Sequence, residues 1–243
     1  IALGLNAGQI TQGISAIALG NIAGKIDQGA KAIALGLSAG ENNQSTEAIA
    51  LGVAAGLNAQ GGQAIALGES AGQNNQSAEA IAIGRSAGNI TQGTNAVAVG
   101  TSAGHDNQGN TAVAIGYGSG NANQSINAVA IGSNAGNGNQ NSNAVAIGSN
   151  AGNTTQGTNA VAIGENAGKT TQGTNAVAIG NLAGKTSQKD NSIILNASGV
   201  DLNNTQASTF TVKPVREVTT VVGLKQLYYN ESTGEIVYYT SAP

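Results

Sequence analysis

The sequence predicts an all-β fold: a parallel β-solenoid, or β-roll, with 16-residue coils over residues 1–192, then a small β-rich C-terminal cap with a hairpin over 193–243. Three observations predict it. A four-residue core, I/V-A-x-G, begins at Ile1, Ile17, Ile33, Ile49, Ile65, Ile81, Val97, Val113, Val129, Val145, Val161 and Val177, and an unslipped period of this size marks a repeat architecture. The 243 residues include 37 Gly, one Phe and no Trp or Met, which suits thin, closely packed layers better than a thick globular core. Every copy also carries Gln at its twelfth position.

Within a copy, Asn143-Ala144-Val145-Ala146-Ile147 alternates small and β-branched residues and stops at Gly148, the pattern of a short strand. A helix is disfavoured, since each glycine in a helix interior costs about 1 kcal/mol. The glycines at the fourth and eighth positions, such as Gly148 and Gly152, then turn the chain or let backbones approach. The fifth, sixth and ninth positions vary freely, which places them on the outside.

Both faces of the predicted strand are apolar. The first- and third-position Ile, Val and Leu are expected to fill one side. The alanines beside them, Ala2, Ala16, Ala18, Ala32, Ala34, Ala48, Ala50, Ala128, Ala130, Ala144 and Ala146, would then face outwards. Neither column is polar, as a solvated face would be, so the alanine face is expected to be covered by another copy of the chain, most simply in a homotrimer.

The glutamines are Gln12, Gln28, Gln44, Gln60, Gln76, Gln92, Gln108, Gln124, Gln140, Gln156, Gln172 and Gln188. Coils stack about 4.8 Å apart, so these amides are expected to form a structural ladder, each donating to the next. Twelve coils at that spacing make a rod about 55–60 Å long.

From Ser192-Ile193-Ile194-Leu195-Asn196 the pattern changes, as a terminal coil requires. Thr209–Lys213 and Val218–Val222 read as strands. Leu227–Asn230 and Glu235–Thr240 read as a hairpin around the loop Glu231-Ser232-Thr233-Gly234. Four of the five tyrosines fall here, so this segment is expected to hold the one thick apolar cluster.

The chemistry-bearing residues are sparse. The net charge is −3 and the nine Lys and Arg are scattered, which argues against nucleic acid. No cysteine is present, so neither disulfides nor thiolate metal sites are available. No apolar run reaches the roughly 18 residues of a membrane span. Gly164–Thr170 and Gly180–Thr186 approach a phosphate-binding loop, but the spacing is one residue short and no helix is expected after it. His105 stands with Asp106 alone, too few ligands for a metal. The three aspartates Asp27, Asp106 and Asp190 occupy different columns, unlike calcium-binding repeats. No catalytic constellation can be assembled from repeated surface positions, and the expectation is a non-enzyme without cofactor or metal.

The core A-I/V-A-I/L-G-x-x-A, over Ile1 to about Asn196, resembles the head repeats of trimeric autotransporter adhesins. That resemblance implies left-handed parallel β-rolls wound as trimers; those repeats usually run near 14 residues, so the outer loops here differ. The run Q-G-x-N-A-V-A-I-G-x-x-A-G-x-T-x-Q, followed by Ser192–Gly199, Phe210–Arg216 and Leu227–Asn230, resembles the repeat-plus-hairpin fibre proteins of large DNA viruses and tailed phages. Together these imply a structural fibre or spacer outside a cell or on a virion surface, with itself as partner. Two alternatives stand beside this: an adhesin whose outer loops or Tyr-rich hairpin bind a cell-surface glycan or receptor, and a subunit of a head-to-tail filament.

Overall fold

In the computed structural model, residues 1–217, 219 and 225–238 are described, and the predicted strand Val218–Val222 and the end of the hairpin from Tyr239 fall largely outside them. Among the described residues there are strands and turns but no helix. Counting coils from the I/V-A-x-G cores, coil 1 is residues 1–16 and coil 12 is residues 177–192. Each contributes a short strand at its core, as Val145–Ile147 does in coil 10. That strand pairs in parallel and in register with Val129–Ile131 before it and Val161–Ile163 after it. The result is a 14-stranded parallel sheet from Ala2–Leu3 to Phe210–Lys213, hereafter the long sheet.

Each coil returns along a second face, where the chain passes through the glutamine. Here coils 1–6 form a 6-stranded sheet ending at Ile90–Gln92, and coils 9–11 a 3-stranded sheet beginning at Asn139–Gln140. Between them, coils 7 and 8 are tied only by isolated bridges at Gln108, Asp106, Ala122 and Gln124. The turn linking the two faces needs glycine. At Gly148, φ is +122° and a Cβ would lie 2.8 Å from the backbone of Gly164 in the next coil, a place only glycine can occupy.

The direction of the two apolar columns is the reverse of the one expected. Ala16, Ala18, Ala32, Ala34, Ala48, Ala50, Ala128, Ala130, Ala144 and Ala146 are all buried inside their own chain, and Ala2, in the first coil, is exposed. They are therefore core residues of the single coil and not a face presented to another copy. Ile, Val and Leu of the first and third positions point outwards. The reason is width: a Cβ placed on Gly152 would touch Ala146 Cβ at 3.2 Å and Gln156 Oε1 at 2.7 Å. An interior that holds a glutamine has room opposite it for nothing larger than a methyl group.

The stack closes by enlarging that interior's contents. In the thirteenth coil Ile194 takes the place of the second-position alanine in register with Ala178, and Leu202 bridges to Ala183; both are buried. Phe210–Lys213 pairs in parallel with Ile193–Asn196, so this predicted cap strand belongs to the solenoid. The first compact unit accordingly runs from Ile1 to Lys213, past the expected boundary at 192.

The second unit, Pro214–Pro243, contains the antiparallel hairpin of Tyr228–Asn230 and Glu235–Val237. Asn230 Oδ1 accepts the backbone N–H groups of Ser232 and Thr233 and so shapes the turn. Tyr229, Ile236 and Tyr238 are exposed, so these described side chains are not gathered into the thick cluster expected of them.

Candidate interaction surface

The glutamines lie along the inside of the solenoid. From Gln12 to Gln188, each Nε2 donates to Oε1 of the glutamine one coil on, in eleven bonds of 3.0–3.2 Å. All but Gln12 are buried. The amide also crosses its own coil: Gln156 Nε2 donates to Val145 O at 2.7 Å and reaches Ala160 O at 3.3 Å. Each glutamine thus fastens its coil internally and to its neighbour. Among the described residues no buried side-chain nitrogen or oxygen lacks a partner, as low-dielectric interiors demand.

The outer face of the long sheet is the opposite in character. Third-position residues stand out of it in one straight column, with Ile131, Ile147 and Ile163 at 36–37% exposure and Ile179 at 40%. The first-position column, including Val129 and Val145, runs half-buried beside it. In coils 3 and 4, Leu37 and Val53 widen the strip, at 47% and 48% exposed. At about 4.8 Å per coil and two columns two residues apart, the strip is roughly 60 by 10 Å, on the order of 600 Å². Monomers rarely expose a contiguous apolar patch above about 300–600 Å² without a use for it.

Polar residues line one edge. Beside the first-position column, Asn127, Asn143, Asn159, Asn175 and Asn191 form a second amide ladder, exposed, with bonds of 3.0–3.2 Å. In coils 2–4 the same column holds Lys31, Glu47 and Gln63, where Lys31 Nζ lies 3.0 Å from Glu47 Oε1 and Gln63 Nε2 donates to Glu47 Oε2. The Lys31 hydrogen bond, then that from Gln63, holds the Glu47 carboxyl below its ordinary pKa.

The remaining candidates stay isolated. His105 Nδ1 and Asp106 Oδ1 are 2.8 Å apart, and among the described residues no group of three or more His, Cys, Asp or Glu is placed to hold a metal ion. Lys185 of the loop-like Gly180–Thr186 stretch pairs with Asp201 at 3.1 Å. No helix of the described residues is long and apolar enough to cross a membrane.

The alanine column was expected to face outwards and faces inwards, although a signal for this was there. A buried glutamine in every coil already sets the interior's depth, and only the alanine column fits opposite it. No family model, no curated protein and no solved structure matches the chain.

Proposed function

We propose that the chain is a structural protein, a fibre or spacer that works as a homo-oligomer, a trimer, outside a cell or on a virion surface. What supports this is the uninterrupted apolar strip along the outer face of the long sheet. A strip repeating every 4.8 Å offers the same chemistry at every level, so identical strips in parallel register meet along their whole length. About 600 Å² per chain is comparable to the roughly 800 Å² each partner gives to a standard interface. Load along such a rod is shared by backbone ladders in both faces and by the glutamine ladder.

Negative-stain images and small-angle scattering of the purified chain test this reading. Stiff, unbranched particles with the mass of three chains and a cross-section of three coils are expected. Particles of single-chain mass at every concentration would overturn it.

A further inference from the structure

The second face contains a fault that the long sheet lacks. In coils 1–8 the eleventh-position residue has positive φ, from Thr11 at 54° through Asn107 at 52° to Asn123 at 51°, whereas Asn139, Thr155, Thr171 and Ser187 do not. The hydrogen bonds turn over with it. Asn123 N donates back to Asp106 O in coil 7 at 3.0 Å, but Asn139 N donates forward to Thr154 O at 2.9 Å, and Thr155 N forward to Thr170 O at 3.1 Å. The peptide entering the eleventh position is therefore flipped between coils 8 and 9. Both N–H groups flanking the junction point away from it, and neither Ala122 O nor Gly138 O accepts a hydrogen bond among the described residues.

We propose that this fault is movable, with coils 7–9 exchanging between the two peptide orientations. Suppose the peptide before Asn123 turns over: its N–H leaves Asp106 O and reaches Gly138 O. The unpaired carbonyls become Asp106 O and Ala122 O, so the fault has stepped one coil towards the N-terminus without loss of a hydrogen bond. Turning over the peptide before Asn139 instead satisfies Ala122 O, frees Thr154 O and steps the fault the other way. Only the preference of the eleventh residue for positive φ distinguishes the states.

The residues in that column set how far the fault travels. Asn107, Asn123 and Asn139 are three consecutive asparagines, the non-glycine type that best tolerates positive φ. Their side chains are linked from Asn107 Nδ2 to Asn123 Oδ1 and from Asn123 Nδ2 to Asn139 Oδ1, at 3.1 and 3.2 Å. Beyond them stand Thr155 and Thr171, which do not have positive φ although Thr11 and Thr91 of the same column do; that conformation costs a β-branched residue more than an asparagine, which biases the fault against passing them. On the other side Thr91 is held at φ 44°, within a sheet whose ladder ends at its own strand. A shallow groove lined by Asn107, Asn123, Gln124 and Ile126 opens at the same level. The second face thus carries a slip plane at coils 7–9 while the long sheet runs through it unbroken.

Residue-resolved hydrogen exchange on the full chain tests this, with two variants that bias the fault in opposite directions. In the wild type, the amides of Asn123 and Asn139 are expected to exchange at least about tenfold faster than those of Asn75 and Thr155, by local opening. Asn123→Val, which disfavours positive φ, drives the fault towards coil 7 and slows exchange at Asn139, while Asn107, whose N–H has no acceptor among the described residues, is fast in both proteins. Asn139→Gly drives it towards coil 10, slows exchange at Asn123 and brings Thr155 into the fast set. Equal protection of Asn75, Asn123, Asn139 and Thr155 in the wild type would overturn the proposal, as would an Asn139 that stays fast in Asn123→Val together with an Asn123 that stays fast in Asn139→Gly.

Discussion

The two long faces of the solenoid are made by the same chain at the same 16-residue period, yet they solve different problems. The long sheet is continuous over 14 strands and carries aliphatic side chains outwards. The second face is broken into sheets of six and three strands and is mixed outwards, with Asn and Thr beside the exposed Ile10 and Ile90. Both rest on one interior of alanine and glutamine. I/V-A-x-G scarcely varies, whereas the tenth and eleventh positions hold pairs as different as Ile10-Thr11, Asn74-Asn75 and Thr170-Thr171, and it is in this variable column that the peptide orientation switches once, between coils 8 and 9.

The comparison is broken most severely from the inside. Ala130→Lys puts an ammonium group where the alanine is fully buried, with no anion beside it. An unpaired buried charge costs several kcal/mol, so the chain is expected to unfold or lose most of its denaturation midpoint. Its mirror, Ile131→Lys, one residue away on the exposed column, leaves the interior untouched, so at concentrations low enough for both proteins to be monomeric its unfolding free energy is expected to stay within about 0.5 kcal/mol of wild type. Equal effects at the two positions would erase the distinction between inside and outside.

A milder break uses the ladder. Gln140→Leu removes the acceptor of Gln124 Nε2 and the donor to Gln156 Oε1, leaving that buried oxygen without its partner. A loss of about 1–3 kcal/mol is expected in urea denaturation, larger than for Asn143→Leu in the exposed amide ladder. If the two losses are the same, burial is not what gives the glutamines their weight.

How much of this could be read from the residues depends on which residues carry it. The period, the turning glycines such as Gly148 and the glutamine ladder are each stated by an unvarying column. The direction of the strand's two faces is not, because a strand only three residues long has two sides, and here Ala146 and its neighbours Val145 and Ile147 are all apolar. Volume decides, and volume becomes visible only when Gln156 is set across from Ala146. The flip between Asn123 and Asn139 is less legible still, since both are asparagine. Their orientations are fixed by the neighbouring coils with which they must pair, as in any stack of repeats coupled to nearest neighbours.

The smallest expected effect lies at the polar edge. Glu47 is partly exposed, and its pKa is lowered by the hydrogen bonds from Lys31 and Gln63. A carboxylate with a depressed folded pKa stabilises the fold above its unfolded pKa, and that stabilisation is lost as pH falls through the folded value. Wild type is therefore expected to lose slightly more melting temperature than Glu47→Gln on acidification below about pH 4.5. Identical pH profiles would show that the Lys31–Glu47 pair contributes nothing measurable, as for many exposed pairs.

The outward aliphatic columns are the centre of the account, and sedimentation equilibrium of the wild type beside Ile131→Lys/Ile147→Lys tests them most directly. The expected result is an oligomeric wild type and a monomeric variant with the same far-ultraviolet circular dichroism, since both lysines stand on the exposed column and leave the buried alanine and glutamine interior untouched. A variant that keeps the wild-type mass, or a wild type that is monomeric at every concentration, would contradict it.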